Sequence, residues 1–173
     1  MIDRPASRRP DGGASRTGGP VRFDIREDDL SGEATRALLA LHLAGMQANS
    51  PPGSVFALDL SGLRAPGVSV WSVWRDGEIA GIGALKVLAD GTGELKSMRT
   101  HPNHLRTGVA AALLDRLVAE ARVRGWRRLS LETGSGAAFA PALALYRSRG
   151  FIDGEAFSTY VRSDFNQFLH LPL

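Results

Sequence analysis

The segment from Glu94 to Ala112, ELKSMRTHPNHLRTGVAAA, constrains the fold more than any other part of the chain. Its first residues predict a strand, the His-Pro pair ends that strand, and the turn at Arg106-Thr107-Gly108 leads into a helix. Small residues at the helix start let backbone N–H groups converge on an anion, and the helix dipole adds positive potential there. The segment therefore predicts a phosphate or pyrophosphate site. An ordinary helix N-terminus capped by Thr107 is the alternative interpretation.

The pattern around this segment predicts one mixed α/β domain over residues 21–173. Three strands joined by short turns form an antiparallel meander, and a strand–helix–strand unit follows. Strands are predicted at 21–26, 68–74, 78–88, 94–100, 127–133, from Phe151 and at 165–171; helices are predicted at 31–48, with Ser31 as the cap, 54–63, 108–124 and 139–149. Residues 1–20 are rich in Pro, Gly, Ser and Arg, and they predict a disordered tail.

Composition and charge exclude several classes of function. The chain has no cysteine, which rules out disulfides, thiolate metal sites and a cysteine nucleophile. His101 and His104 lack a third ligand, so no metal site is predicted. Residues 1–20 carry +2 of the net charge of +3, so the predicted domain has no basic surface typical of nucleic-acid binding. No long apolar run and no apolar signal core are present, which predicts a cytoplasmic protein without a membrane segment.

Three motifs follow one another along the chain: ELKSM at 94–98, the turn at 105–112, and ALALYRSRGF at 142–151. Together they resemble the GNAT superfamily of acyl-CoA-dependent N-acetyltransferases, over roughly residues 21–173. The HLRxGVA sequence at the turn and LETGS after the next strand are similar to a small bacterial branch. The resemblance implies a GNAT-like α/β fold, in which helices flank a mixed, mostly antiparallel central sheet built around a strand–helix–strand acyl-CoA-binding unit.

The resemblance also implies an activity. The expected reaction moves an acetyl group from acetyl-CoA to a primary amine of a small molecule, by direct attack in a ternary complex and without a metal. Two alternatives stay open: acetylation of a protein N-terminus or lysine, and an inactive domain that binds acyl-CoA as a sensor. Relatives often dimerise, so a homodimer is also compatible with the resemblance.

Residue by residue, the resemblance implies two sets of acetyl-CoA contacts. The pyrophosphate would lie on the backbone of Arg106, Thr107, Gly108, Val109, Ala110 and Ala111, and the pantetheine arm would pair with Met98, Arg99 and Thr100. Two positions depart from the family pattern. Leu105 stands where relatives have Gln or Arg, so Arg106 would supply the charge one place later. Phe139 stands where many relatives have Asn, and Ser135 is the candidate replacement contact.

Two further residues carry the predicted proton transfers. An amine with a pKa of about 10 must lose a proton before it can attack, and Glu94 is the predicted base, with Glu132 as second candidate. Alternatively, Glu94 simply pairs with Lys96 on the same strand face. Tyr146 is the predicted acid for the departing thiolate, and the alternative is that its ring only packs in the core.

The positions of three cations suggest a hypothesis about the acceptor. Lys96 and Arg99 lie close in sequence to the predicted base, and Arg64 precedes a loop that relatives fold over the acceptor. Cations facing the pocket would favour an acceptor that carries a carboxylate, through charge-assisted hydrogen bonds.

Overall fold

The computed structural model describes residues 22–173, and the predicted tail at 1–20 lies outside the described residues. Residues 22–173 form four α-helices: α1 Glu33–Asn49, α2 Leu60–Leu63, α3 Val109–Val123 and α4 Ala140–Ser148. Seven strands form one sheet: β1 Asp24–Glu27, β2 Val68–Arg75, β3 Glu78–Val87, β4 Gly93–Thr100, β5 Arg128–Gly134, β6 Ile152–Asp153 and β7 Asn166–Pro172. Within 22–173 no helix has the length and apolar character needed to cross a membrane.

The sheet has the strand order β1-β2-β3-β4-β5-β7-β6. All neighbouring strands are antiparallel except β4 and β5, which are parallel because helix α3 connects them. The β2–β3 connection is a two-residue hairpin in which Asp76 and Gly77 both have positive φ, 51° and 84°, as a tight hairpin turn requires. The predicted meander, the strand–helix–strand unit and the mixed, mostly antiparallel sheet are therefore confirmed.

Helices cover both faces of this sheet. Helices α3 and α4 pack on one face and bury an apolar cluster that contains Leu113, Leu117 and Leu143. On the other face, α1 and α2 bury a second cluster that contains Leu38 and Ile82. Burial of each such side chain contributes roughly 1.5–3 kcal/mol, so the two layers hold the central strands in place.

The parallel pair β4–β5 separates almost at once. Only Gly93↔Leu129 and Glu94↔Ser130 are in register, and the two strands then splay apart. A β-bulge interrupts the pairing of β3 with β4 beyond Ile82, and Ser97 within it has a φ of 54°. A bulge bends its strand and leaves its extra residue outside the ladder. The result is an opening in the middle of the sheet.

Two local predictions are corrected by the structure. The predicted helix at 54–63 is helical only at Leu60–Leu63, because Asp59 caps the Gly62 N–H and the Phe56 carbonyl accepts a hydrogen bond from Lys96 instead of from a helical turn. The predicted cap Ser31 is one residue too early. Its N–H donates to Asp29, and α1 begins after Gly32, which makes no side-chain cap.

Candidate active site

A pocket fills the opening between β4 and β5 and reaches both faces of the sheet. The pocket and its mouth contain about 850 Å³ of space that protein atoms do not fill. Strand residues from Leu95 to Arg99 and from Leu131 to Thr133 form its sides. On the α1 face it is lined by His42, Gly45, Met46, Asn49, Phe56 and Ala57, and on the α4 face by Ala138, Phe139, Ala142 and Tyr146. Two molecules approaching from opposite faces could therefore meet in the opening.

The turn that precedes α3 has the backbone geometry of an anion site. Arg106 and Gly108 have positive φ, 60° and 90°, and Gly108 is the N-cap residue without any side-chain cap. Within residues 22–173 no hydrogen bond is donated by the backbone N–H groups of Arg106, Thr107 or Gly108. The first N–H groups of α3 also lack intrahelical acceptors. The turn thus offers a group of free donors at the positive end of a helix.

Thr107 does not cap this helix. Its hydroxyl donates a hydrogen bond of 2.7 Å to the His104 carbonyl, which leads back into the preceding 3-10 helix, Pro102–His104. Capping by Thr107 is therefore wrong, and anion binding at this turn stays a prediction. The remaining small residues, Val109, Ala110 and Ala111, form the first turn of α3.

The end of β4 places successive side chains on opposite faces of the sheet. The Met98 sulfur lies on the α3 face, 2.7 Å from where a Cβ on Gly83 would be. The Arg99 guanidinium lies against α1, with Nη1 3.3 Å from where a Cβ on Gly45 would be. Thr100 pairs with Gly81 of β3. Ser135 follows the last residue of β5 and is not among the residues that line the pocket. The edge of β4 that faces β5 is free to pair with an extended ligand.

Glu94 lies in a buried ion pair rather than on the pocket wall. Its carboxylate is 3.2 Å from the Lys96 ammonium and accepts a hydrogen bond of 2.5 Å from the Tyr160 hydroxyl. Lys96 in turn donates to the Tyr160 oxygen at 2.6 Å and to the Phe56 carbonyl at 2.9 Å. The pairing of Glu94 with Lys96, one of the two sequence interpretations, is thus observed. Glu94 as the base stays a prediction.

The Tyr160 hydroxyl joins this ion pair to the segment between β6 and β7, so its removal should destabilise the fold. We expect Tyr160→Phe to lower the free energy of unfolding by about 1–3 kcal/mol, because Glu94 and Lys96 each lose a buried hydrogen-bond partner. Urea denaturation of the variant and the wild type measures this change. A loss below about 0.5 kcal/mol would contradict the bridging role of the hydroxyl.

Glu132 is the carboxyl group that lines the pocket itself. Burial raises the pKa of Glu132 from 4.5 to about 7; Lys96 acts in the opposite direction and Glu94 in the same direction as burial. Lys96 is paired with Glu94, and within residues 22–173 Glu132 forms no ion pair of its own. A carboxyl group that titrates near neutral pH is suited to general base catalysis.

Tyr146 and His42 occupy opposite ends of the pocket. Tyr146, on the α4 side, is 7% exposed, and burial raises the pKa of its hydroxyl, which keeps it protonated at neutral pH. Burial lowers the pKa of His42 to about 4, and the charges of Arg99 and Lys96 add to this effect. At neutral pH the imidazole of His42 is therefore uncharged.

The other residues singled out in the sequence, Arg64 and His104, do not line the pocket. Arg64 donates to the Leu30 carbonyl. His104 lies 3.6 Å from Glu78, and within the described residues no group of three or more His, Asp or Glu side chains is arranged to hold a metal ion. Sequence reasoning missed Tyr160 and Phe56, since both lie in segments without periodic structure that reach the site only through tertiary contacts.

Comparisons with known proteins agree with this geometry. The model of the Acetyltransferase (GNAT) family matches residues 35–151. The Escherichia coli (strain K12) protein named Uncharacterized N-acetyltransferase YedL is 50% identical over 87% of this chain and 95% of its own length. The Bacillus subtilis (strain 168) protein named Uncharacterized N-acetyltransferase YsnE is 50% identical over 79% of this chain and 90% of its own length.

Solved structures are similar over nearly the whole described domain. A Klebsiella pneumoniae protein assigned as an acyl-CoA N-acyltransferase is 30% identical, with a TM-score of 0.74 over 87% of this chain and 97% of its own. A Bacillus subtilis acetyltransferase in complex with CoA is 17% identical, with a TM-score of 0.67 over 88% of this chain and 99% of its own. The second comparison supports the fold alone.

Proposed function

Because the chain belongs to the GNAT family of acetyltransferases, we propose that residues 21–173 transfer an acetyl group from acetyl-CoA to the primary amine of a small molecule. Family membership makes the chain an acyl-CoA-dependent acetyltransferase. The type of acceptor, the direct attack and the roles of single residues are the proposal. The observation that carries it is the pocket between β4 and β5, which has Glu132 and Tyr146 among its lining residues.

Two features of the chain fit acetyl-CoA. The turn from Arg106 to Ala111 offers free N–H groups and positive potential to a pyrophosphate. The free edge of β4 at Met98–Thr100 can pair with the amide groups of an extended pantetheine arm, and Ser135, which follows β5, is a further candidate contact. Membership of the Acetyltransferase (GNAT) family supports acetyl-CoA as the co-substrate.

Different residues of the chain carry out the separate steps of the reaction. When bound, acetyl-CoA supplies the thioester whose carbonyl carbon the amine attacks. Glu132 removes the proton from the amine, directly or through water, in its ionised form. The bulge at Ser97 and Met98 places backbone groups outside the ladder on the pocket wall, where a free N–H would stabilise negative charge on the thioester oxygen.

Tyr146 acts on the departing sulfur. A thiol has a pKa of about 8.5 and a phenol one of about 10, so the departing thiolate is a weaker base than a tyrosinate. Tyr146 therefore assists mainly by donating a hydrogen bond to the sulfur, without releasing its proton completely. We expect Tyr146→Phe to lower kcat by about 10- to 100-fold, because the hydroxyl is removed while the ring packing is kept. Steady-state kinetics with calorimetry of acetyl-CoA binding checks this. Unchanged kcat would show that the ring only packs in the core.

Direct attack is tested by initial rates with both substrates varied. A ternary complex predicts double-reciprocal lines that intersect, whereas a covalent acetyl-enzyme predicts parallel lines. The chain has no cysteine, and Ser130, the serine of β5, is fully buried and hydrogen-bonded to His170 at 2.8 Å. Parallel lines, or an acetylated protein seen by mass spectrometry after incubation with acetyl-CoA alone, would contradict direct attack.

A further inference from the structure

One cation on the α1 side of the pocket forms no ion pair within residues 22–173. Lys96, Arg99 and Glu132 are the charged residues that line the pocket. The Lys96 ammonium has three partners, namely the Glu94 carboxylate, the Tyr160 hydroxyl and the Phe56 carbonyl. Lys96 therefore donates two hydrogen bonds, to Tyr160 and Phe56, and its charge is offset by the Glu94 carboxylate 3.2 Å away.

Arg99 has no such partners. Its Nε is buried and makes no hydrogen bond within residues 22–173, and no ion pair of Arg99 with a carboxylate is found in the same range. The neighbouring His42 is uncharged at neutral pH, because the charge of Arg99 adds to the effect of burial on the imidazole. A guanidinium that lines a pocket without a counter-ion is a site for an anionic group.

Resting on the function proposed above, we propose that the acceptor is a small amine that carries a carboxylate, and that the Arg99 guanidinium binds this carboxylate. Arg99 belongs to β4 and Glu132 to β5, so the two groups flank the opening from its two sides. A molecule with an amine at one end and a carboxylate at the other can then reach both. A single guanidinium balances the single charge of a carboxylate better than the double charge of a phosphate.

Two of the three cations that the sequence suggested for the acceptor carboxylate have other partners. Lys96 is held in the buried ion pair, and Arg64 is hydrogen-bonded to the Leu30 carbonyl away from the pocket. Of the three cations considered, Arg99 alone presents an unpaired charge to the pocket among the residues that the structure describes.

The test compares free α-amino acids with the matching α-amides as acceptors, with O-phosphoethanolamine and a polyamine added to the panel. For the best acid we expect kcat/KM to exceed that of its amide by about 10- to 100-fold, mostly through KM. Arg99→Gln should bring this ratio to about one, and Arg99→Lys should leave an intermediate ratio, since lysine keeps the charge but not the two-pronged geometry. Arg36→Gln, an equal charge change on the exposed side of α1, should leave the ratio as it is.

The outcomes separate the two proposals. Turnover of acids and amides at equal rates, or turnover of only the polyamine or only O-phosphoethanolamine, would overturn the role of Arg99 and leave the acetyltransferase intact. A ratio that survives in Arg99→Gln would overturn it as well. Absence of acetyl-CoA binding in calorimetry, with no turnover of any amine, would instead remove the proposed function and this inference with it.

Discussion

Replacement of Glu132 by glutamine is expected to lower kcat by about 10²–10³-fold at neutral pH while the affinity for acetyl-CoA stays the same. Glutamine keeps the size of the side chain and one acceptor oxygen but cannot accept a proton from the amine. Glu132 lines the pocket, and burial raises its pKa to about 7. Steady-state kinetics with saturating acceptor, together with calorimetric titration of acetyl-CoA, measures both quantities.

Glu94→Gln is the matched comparison, because it makes the same chemical change in the buried ion pair beside the pocket. If Glu132 is the base, Glu94→Gln should reduce kcat far less than Glu132→Gln. The reverse order would return the role of base to Glu94. Glu155→Gln, a change at a carboxylate on the protein surface, controls for the loss of one negative charge.

The pH dependence of kcat gives an independent check on the same residue. A base must be ionised, so kcat of the wild type should rise with pH and level off above about pH 7, the pKa of Glu132. In Glu132→Gln this rise should disappear. A rise that persists in the variant with the same midpoint would show that another group takes the proton.

Stability should change with pH for the same physical reason. The folded pKa of Glu132, about 7, lies above the ordinary 4.5, so its proton stabilises the folded state fully below pH 4.5. This contribution is lost as the pH rises through 7. Between about pH 5 and pH 8, the wild type should lose on the order of 1–3 kcal/mol of unfolding free energy relative to Glu132→Gln. Denaturation at both pH values measures this difference.

Gly108→Glu is expected to weaken acetyl-CoA binding by about 100-fold or more. Gly108 has a φ of 90°, where a residue with a side chain costs about 1–2 kcal/mol, and the added carboxylate would repel a pyrophosphate at the same turn. A Cβ at this position has space, since its nearest neighbour, Phe23, is 3.9 Å away. The loss should therefore come from backbone strain and charge rather than from a clash.

Two further variants separate these causes in calorimetric titrations. Gly108→Ala carries the strain without the charge and should weaken acetyl-CoA binding by about 10-fold or less. Gly125→Glu adds the same charge at another glycine with positive φ, 73°, at the far end of α3. It should leave the affinity unchanged. Equal losses in Gly108→Glu and Gly125→Glu would indicate general destabilisation of α3 instead of a site at the turn.

The parts of the fold with local signals were predictable from the sequence. Helix α3 has apolar residues at helical spacing, and Asp76-Gly77 is a two-residue hairpin signal, so both elements are found where the pattern placed them. The helix predicted over 54–59 is absent because the Phe56 carbonyl accepts a hydrogen bond from Lys96, 40 residues later in the chain. No local pattern encodes such a contact.

In the candidate site, too, only the parts formed by local sequence motifs were predictable. The turn at 106–111 was predictable, because a short motif forms it. The buried environment of Glu94 was not predictable, because it depends on Tyr160, which lies 66 residues later in the chain and reaches Glu94 from an irregular segment. The homodimer and the cytoplasmic location stay predictions.

The pocket between β4 and β5 is expected to transfer acetyl groups from acetyl-CoA to amines with Glu132 as the base. The most direct test of this activity is the amine-dependent release of free CoA thiol, with the acetylated amine identified by mass spectrometry, in the wild type and in Glu132→Gln. We predict an acetylated amine product from the wild type and a rate about 10²–10³-fold lower in the variant. A wild type that binds acetyl-CoA but acetylates no amine in a broad panel, or a variant that is as fast as the wild type, would contradict this account.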